Sequence, residues 1–187
     1  MKLSLVRVQT WGQALDLLKV RNACREGMTH TTEEITVAQQ ERFWREQLLP
    51  GHTFEAYVWY DARKPIGFGV IKKDGRKAWM THGLVPEVRG RHLSRIGIQL
   101  ITQMGYAVAD EVWIDVWDWN HALRGDIREG YEFVESATQP DGQVLHVMKH
   151  HRDRIPGERE RARLREAAAS LRDELLEVDA VSRAAYR

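Results

Sequence analysis

The stretch VPEVRGRHLSRIG, residues 85–97, gathers Arg89, Arg91, His92 and Arg95 around Gly90 and Ser94, after a proline-broken extended run and at the start of an amphipathic helix. A helix N-terminus carries unpaired N–H groups and the positive end of the helix dipole, so donors collected there suit a phosphate or pyrophosphate. The arginines add charge, Gly90 allows close backbone approach, and Ser94 offers a hydroxyl. Taken alone, the run reads equally as a solvated basic loop. The elements around it decide between the two.

The rest of the chain supplies no competing source of positive field. Its 28 basic and 27 acidic residues leave a formal net charge of +1, so any polyanion site must be local, and a broad nucleic-acid face is disfavoured. With 187 residues, 43% of them hydrophobic, the chain is long enough for one domain with a real core plus an appendage. Cys24 is the single cysteine, which excludes an internal disulfide framework and a cysteine-based zinc cluster and suits a reducing compartment. The N-terminal MKLSLVRVQTWG lacks the apolar core of a secretory signal, and no run approaches bilayer-spanning length. The expectation is a cytoplasmic protein with no membrane partner.

Hydrophobic periodicity places the elements. LSLVRVQ alternates as a strand, and Thr10 is placed to cap the helix WGQALDLLKVRNA, with Trp11, Ala14, Leu17 and Leu18 on one face. Thr36 is a second N-cap, before VAQQERFWREQLL, where Val37, Phe43, Trp44 and Leu48 are expected inside. Residues 53–85 then hold three β-rich runs, separated by Asp-Ala-Arg-Lys and by Asp-Gly-Arg-Lys, an antiparallel meander. From His92 to about Val108 the spacing of Leu93, Ile96, Leu100, Ile101 and Met104 is helical. EVWIDVW reads as a short buried strand, NHALRGDIREG as a short helix with Asn120 as its cap, and YEFVESA with QVLHVMKH as a hairpin around Pro140-Asp141-Gly142. Pro156-Gly157 breaks the chain before a charged, alanine-rich helix former, so residues 1–151 read as one domain and 152–187 as a tail.

In that order, the elements resemble the GNAT family of acetyl-CoA-dependent N-acyltransferases over roughly residues 3–150. LVPEVRGRHLS is similar to the family's pyrophosphate loop, with Arg89 in the first position and His92 and Ser94 in the two later small positions. VWDWN is similar to the strand end whose asparagine helps hold the pantetheine arm, and REGYEF to the family's Lys-x-Gly-Phe ending. RNACREGMTH, followed by FW, resembles members that acylate amino sugars or related small amines. The resemblance implies an α/β (α+β) fold, a mixed, mostly antiparallel six- to seven-stranded sheet flanked by helices, followed here by a C-terminal helical tail.

It also implies a division of labour. Acetyl-CoA is the co-substrate. The main chain at Leu84 and Val85 pairs with the acyl-pantetheine arm, residues Arg89, Gly90, Arg91, His92, Leu93, Ser94 and Arg95 hold the pyrophosphate, and Asn120 contacts the pantetheine amide. An amine of a small molecule or protein attacks the thioester directly, which needs a group to keep it neutral. His82, three residues before Val85 and of a type that titrates near neutrality, is one candidate, with Glu55 and Asp118 as others. Each also reads as an ordinary strand or surface residue. Asp126 or Ile127 stands where many members carry an acidic tyrosine, and Trp117 and Trp119, flanking Asp118, are placed to shape an acceptor pocket. The alternative is a catalytically degenerate module of this fold, attached to a larger assembly through its tail; a fold hosts functions without guaranteeing them.

In that tail Leu164, Ala168, Leu171, Leu175, Val178, Ser182 and Ala185 alternate by four and three, the spacing of a coiled-coil seam. A helix of this composition holds together poorly without a partner surface, so it is expected to pack on its own domain, on a second copy or on an assembly partner. Deleting residues 158–187 is predicted to change the assembly state by light scattering, or the thermal stability, more than it changes acetyl-CoA affinity. Identical monomers of identical stability would mean a merely solvated tail.

Overall fold

Thr10 and Thr36 each stand three residues before a glutamine, and both pairs close a capping box: the threonine Oγ1 accepts from the glutamine N–H, and the glutamine Oε1 accepts from the threonine N–H. These boxes start α1 (Trp11–Ala23) and α2 (Val37–Phe43) in the computed structural model, which describes residues 3–30, 32–50, 53–89 and 93–152. α1 buries Ala14, Leu17, Leu18 and Val20, close to the face expected from sequence. α2 departs from expectation. Val37, in its first turn, is 55% exposed, while Gln40 is fully buried. A π turn over Trp44–Leu48 then re-aims the chain, so that Leu48 is buried and Phe43 and Trp44 pack from the side.

Seven strands form one sheet in the order β1-β2-β3-β4-β5-β7-β6. They are β1 (Leu3–Arg7), β2 (Phe54–Asp61), β3 (Lys64–Asp74), β4 (Lys77–Leu84), β5 (Glu111–Trp117), β6 (Tyr131–Thr138) and β7 (Val144–His150). The meander turns at Ala62-Arg63 and at Gly75-Arg76, and Gly75 takes the positive φ of 58° that its type allows without cost. Every neighbouring pair is antiparallel except β4 with β5. A parallel pair needs a crossover, and α3 (Leu93–Val108) supplies it. The fold class and the hairpin after the short helix α4 (Ala122–Arg128) are as expected from the sequence. The tail, from residue 153 on, lies outside the described residues.

The two faces of the sheet carry separate cores. Ala56 and Val58 of β2, with Phe68 and Val70 of β3, pack with Ala14, Leu17 and Val20 of α1. Tyr57, Ile71, Ala78, Met80, Val112 and Ile114 pack with Ile98 and Ile101 of α3. α3 comes close to the sheet along the line Gly97, Ile101, Gly105, spaced by four and so on one helix face. A Cβ on Gly105 would lie 2.9 Å from Val112 Cγ2, and one on Gly97 would enter the buried Trp59 indole, 2.7 Å from Cζ2 and 2.9 Å from Cζ3. Gly97→Ala must therefore displace an aromatic ring or the helix, at a net cost of about 1–3 kcal/mol. That is a fall in melting temperature of several degrees, on the order of 2–4 °C per kcal/mol for this chain length. An unchanged melting temperature in thermal denaturation would show that Trp59 moves aside freely.

Candidate active site

β4 and β5 pair over only four rungs, from Lys77 with Glu111 to Met80 with Ile114, whereas β4 continues beside β3 as far as Leu84. Past Met80 one side of β4 is therefore open. The N–H of Val85 donates to Ile66 O at 3.0 Å, and because an antiparallel ladder alternates, the main-chain groups of His82 and Leu84 face the other way, into the opening. Arg89 Nε reaches back from the following turn to donate to the carbonyl of Leu84, 3.1 Å away.

The loop after α1 forms the opposite wall. Trp117 Nε1 donates to Met28 O at 3.0 Å, and Asn120 Nδ2 donates to Gly27 O at 3.1 Å. Asp115, on β5, accepts from Thr29 Oγ1 at 2.8 Å and pairs with His30 Nε2. What remains is a cleft of about 40 Å³, lined among others by Thr29, Thr81, His82, Asp115, Asn120 and Asp126.

Two titratable groups meet there. His82 Nε2 lies 3.5 Å from Asp126 Oδ1, too long for a hydrogen bond, and Oδ1 is buried with no hydrogen-bond partner. Asp126 is 1% exposed, on the inward side of α4 one turn after the buried Leu123. Burial drives its carboxyl well above the ordinary carboxylate range, and the charge of Glu129, just past the end of the same helix, adds to this. Burial pushes His82 the other way, down to about 4, because it penalises the cation. Both shifts favour the uncharged forms, a neutral imidazole and a neutral acid.

The other sequence candidates separate from this pair. Glu55, two strands away on β2, is claimed by Lys73 Nζ at 2.8 Å, Tyr57 Oη at 2.7 Å and Arg7 Nη2 at 3.5 Å. Burial alone would raise its carboxyl, but the hydrogen bonds from Lys73 and Tyr57 outweigh it and hold the group below the usual range. Glu55 is not among the residues that line the cleft. Asp118 is exposed in the turn after β5 and bonded to His146 Nε2 at 3.0 Å. Trp117 holds the loop through Met28 as described, and Trp119 is 49% exposed with its Nε1 on Gln143 Oε1.

Among the residues expected at the phosphates, Arg95 is instead paired with Glu129 Oε1 at 2.9 Å, and the Leu93 side chain is buried in the core. The Val85 N–H is spent inside the sheet, so His82 and Leu84 replace Leu84 and Val85 as the exposed main-chain pair. Arg89 and Ser94 are exposed beside the start of α3. Gly90, Arg91 and His92 lie outside the described residues. Asn120 holds the wall: besides Gly27 O, its Oδ1 accepts from Ala122 N–H at 3.0 Å, leaving one amide hydrogen and one lone pair. Sequence reading missed Asp115 and passed over Asp126 as a place where a tyrosine was lacking. The available signal was an aspartate set in an apolar strand, EVWIDVW, and another three residues after Leu123 on the buried helix face.

No protein-family model matches the sequence, and no curated protein matches it. Solved structures do match the fold. A spermidine N-acetyltransferase from Vibrio cholerae, in complex with CoA and spermine, superposes over 82% of this chain and 97% of its own, with a TM-score of 0.70 and 15% identity. An AAC(6')-Ib in complex with ribostamycin and coenzyme A covers 83% of this chain and 96% of its own, at a TM-score of 0.65 and 15% identity. An acetyltransferase of the GNAT family from Streptococcus pneumoniae covers 79% of this chain and 98% of its own, at a TM-score of 0.65 and 12% identity. The described chain therefore has the GNAT fold.

The displaced titration of His82 has a consequence for stability. The unfolded chain protonates this histidine as pH falls below about 6.5, while the folded chain resists until about 4. Its contribution is complete above 6.5 and is lost on acidification through that window, up to about 3 kcal/mol. The raised carboxyl of Asp126 works in the opposite sense as pH rises. Urea unfolding at pH 7 and at pH 4.5 should show His82→Gln losing less stability on acidification than the wild type. Equal losses would place the wild-type acid sensitivity elsewhere.

Proposed function

We propose that the chain is an N-acetyltransferase that moves an acetyl group from acetyl-CoA to a primary amine of a small molecule or a protein, by direct attack. The observation that carries this reading is the splay of β4 from β5 beyond Met80, which leaves the main chain of His82 and Leu84 without a strand partner on the side where Thr81, His82, Asp115, Asn120 and Asp126 converge. The names of the structural neighbours, which mention spermidine, ribostamycin and coenzyme A, support the same class.

These residues fit the co-substrate. An extended amide arm finds strand-like partners at the main chain of His82 and the N–H of Leu84, and an anionic end finds Arg89, Ser94 and the N-terminus of the 16-residue helix α3 at the end of the same opening. When bound, acetyl-CoA supplies the acyl thioester. His82, neutral near pH 7, accepts the amine proton at a ring nitrogen. Asp115, fixed by Thr29 and His30, offers a carboxylate to an approaching ammonium group. Asn120 keeps the loop wall in place and retains one donor for the arm.

Isothermal titration with acetyl-CoA tests the reading, followed by thiol release with a panel of primary amines. Micromolar binding and turnover are expected from the full chain. No binding would favour the alternative, a GNAT-fold binding module. Arg89→Ala combined with Ser94→Glu should weaken acetyl-CoA by about tenfold or more, because a cation is lost and a carboxylate is placed where an anion must sit. Unchanged affinity in this double variant would move the phosphate site away from the start of α3.

A further inference from the structure

We infer that Ser136 is a nucleophile activated by His146 and Asp118, so that the outer hairpin of the sheet carries a second reactive site, one that takes the acyl group of small, uncharged esters. The inference goes beyond the acetyltransferase reading and does not rest on it. None of the three residues is among those that line the cleft.

The hairpin of β6 and β7 builds the cluster. Across its turn the N–H of Gln139 donates to Gln143 O at 2.7 Å, and the register runs from Thr138 with Val144 to Ser136 with His146. Because ladder hydrogen bonds alternate, Ser136 and His146 form one of the pairs that exchange none, and such pairs bring their side chains closest together. Ser136 Oγ accordingly lies 2.7 Å from His146 Nδ1. On its other side β7 pairs with β5, where His146 stands opposite Val116, and Asp118 at the end of β5 places its Oδ1 3.0 Å from His146 Nε2. A carboxylate only accepts, so Nε2 carries a proton, and in the neutral ring Nδ1 is left to accept from the Ser136 hydroxyl. Hydroxyl, imidazole and carboxylate thus stand in a row as nucleophile, base and the group that orients the base. The two ring nitrogens are exchanged relative to the serine-protease triad, and the proton path is the same.

The surroundings suit an attack from outside. The His146 side chain is only 12% exposed, with the Phe133 ring packed on it edge to face at 4.8 Å, whereas Ser136 faces solvent. β6 is the outer strand of the sheet, with no described strand beyond it, so the alternation that brings Ser136 to His146 also turns the Ser136 N–H to the open edge. There it lies beside its own Oγ, where the oxyanion of an attacked carbonyl forms. Phe133, 51% exposed, offers apolar surface to the ester, and the charge of Asp118 disfavours an anionic one.

The step balances. Oγ bonds to the acyl carbon as its proton passes to Nδ1, and the carbonyl electron pair moves onto oxygen. When that pair returns, the bond from the acyl carbon to the alcohol oxygen breaks. The alcohol takes that electron pair and the proton of Nδ1, leaving Ser136 as its ester. Water, giving a proton to Nδ1, then attacks the same carbon and releases the acid, and Oγ recovers its proton. Ester and water have become acid and alcohol.

The test uses the full chain without acetyl-CoA, incubated with a fluorophosphonate and digested for mass spectrometry, and in parallel with p-nitrophenyl acetate. One adduct on Ser136 is expected, absent from Ser136→Ala and formed about 10²-fold more slowly in His146→Gln. Asp118→Ala should slow labelling by about tenfold and Asp118→Glu restore most of it, because the carboxylate orients the base without touching the reacting atoms. Release of p-nitrophenol above the buffer rate should fall in the same order. A wild-type chain with no adduct on Ser136 overturns the inference without any variant having to fold. So does a His146→Gln chain of wild-type melting temperature that is labelled at the wild-type rate. Either result leaves the acetyltransferase reading in place, which stands or falls on acetyl-CoA binding.

Discussion

The structure depends on where parallel pairing between β4 and β5 stops. Four rungs, between residues 77–80 and 111–114, join the two halves of the sheet, and α3 seals them from one face through Gly105 against Val112 and Met80. Were the pairing to continue, the main chain of His82 and Leu84 would be consumed by β5 and the cleft would close. Past Ile114, β5 is instead engaged by side chains: Asp115 and Trp117 reach to the loop after α1, and Asn120 adds a third tie. The opening is thus held from both sides, by an ordinary antiparallel ladder on β4 and by polar ties on β5.

Charge in the cleft follows from that architecture. Burial between β4, α4 and the α3 face removes water from His82 and Asp126 together, and at 3.5 Å without a hydrogen bond the Coulomb gain of an ion pair does not repay two desolvated ions. Burial thus favours the neutral form of each group. Elsewhere in the molecule buried charge is handled by saturation. Glu55 collects Lys73, Tyr57 and Arg7, and Glu129 collects Arg95 and Gln99. Satisfied carboxylates outside the cleft thus contrast with Asp126, whose Oδ1 is buried without a partner.

Local chemistry in the sequence was a reliable guide wherever a short-range rule governs. Thr-x-x-Gln twice predicts a capped helix start, and both boxes form. Asp-Gly predicts the second hairpin, and the apolar spacing from Leu93 predicts α3. Where several elements share one surface the same rules fall short. Val37 carries the right spacing to be buried but sits in an exposed first turn, while Gln40 takes the interior position. Glu55, Asp118 and Arg95 have the right chemistry for a site, but strands and helices distant in sequence supply partners that engage them.

From the sequence alone came the element order, the GNAT-like fold, the basic helix start with Arg89 and Ser94, and His82 on the central strand, because caps, turns and periodicity are set by neighbours within a few residues. The meeting of His82 with Asp126, 44 positions later by numbering, came only with the tertiary structure. So did the diversion of Val85 and Arg95 to structural duties. Whether a carboxyl is a surface charge or a protonated acid depends on how much water and how many donors remain around it once α4 has docked beside β4, and no local pattern in the chain encodes that.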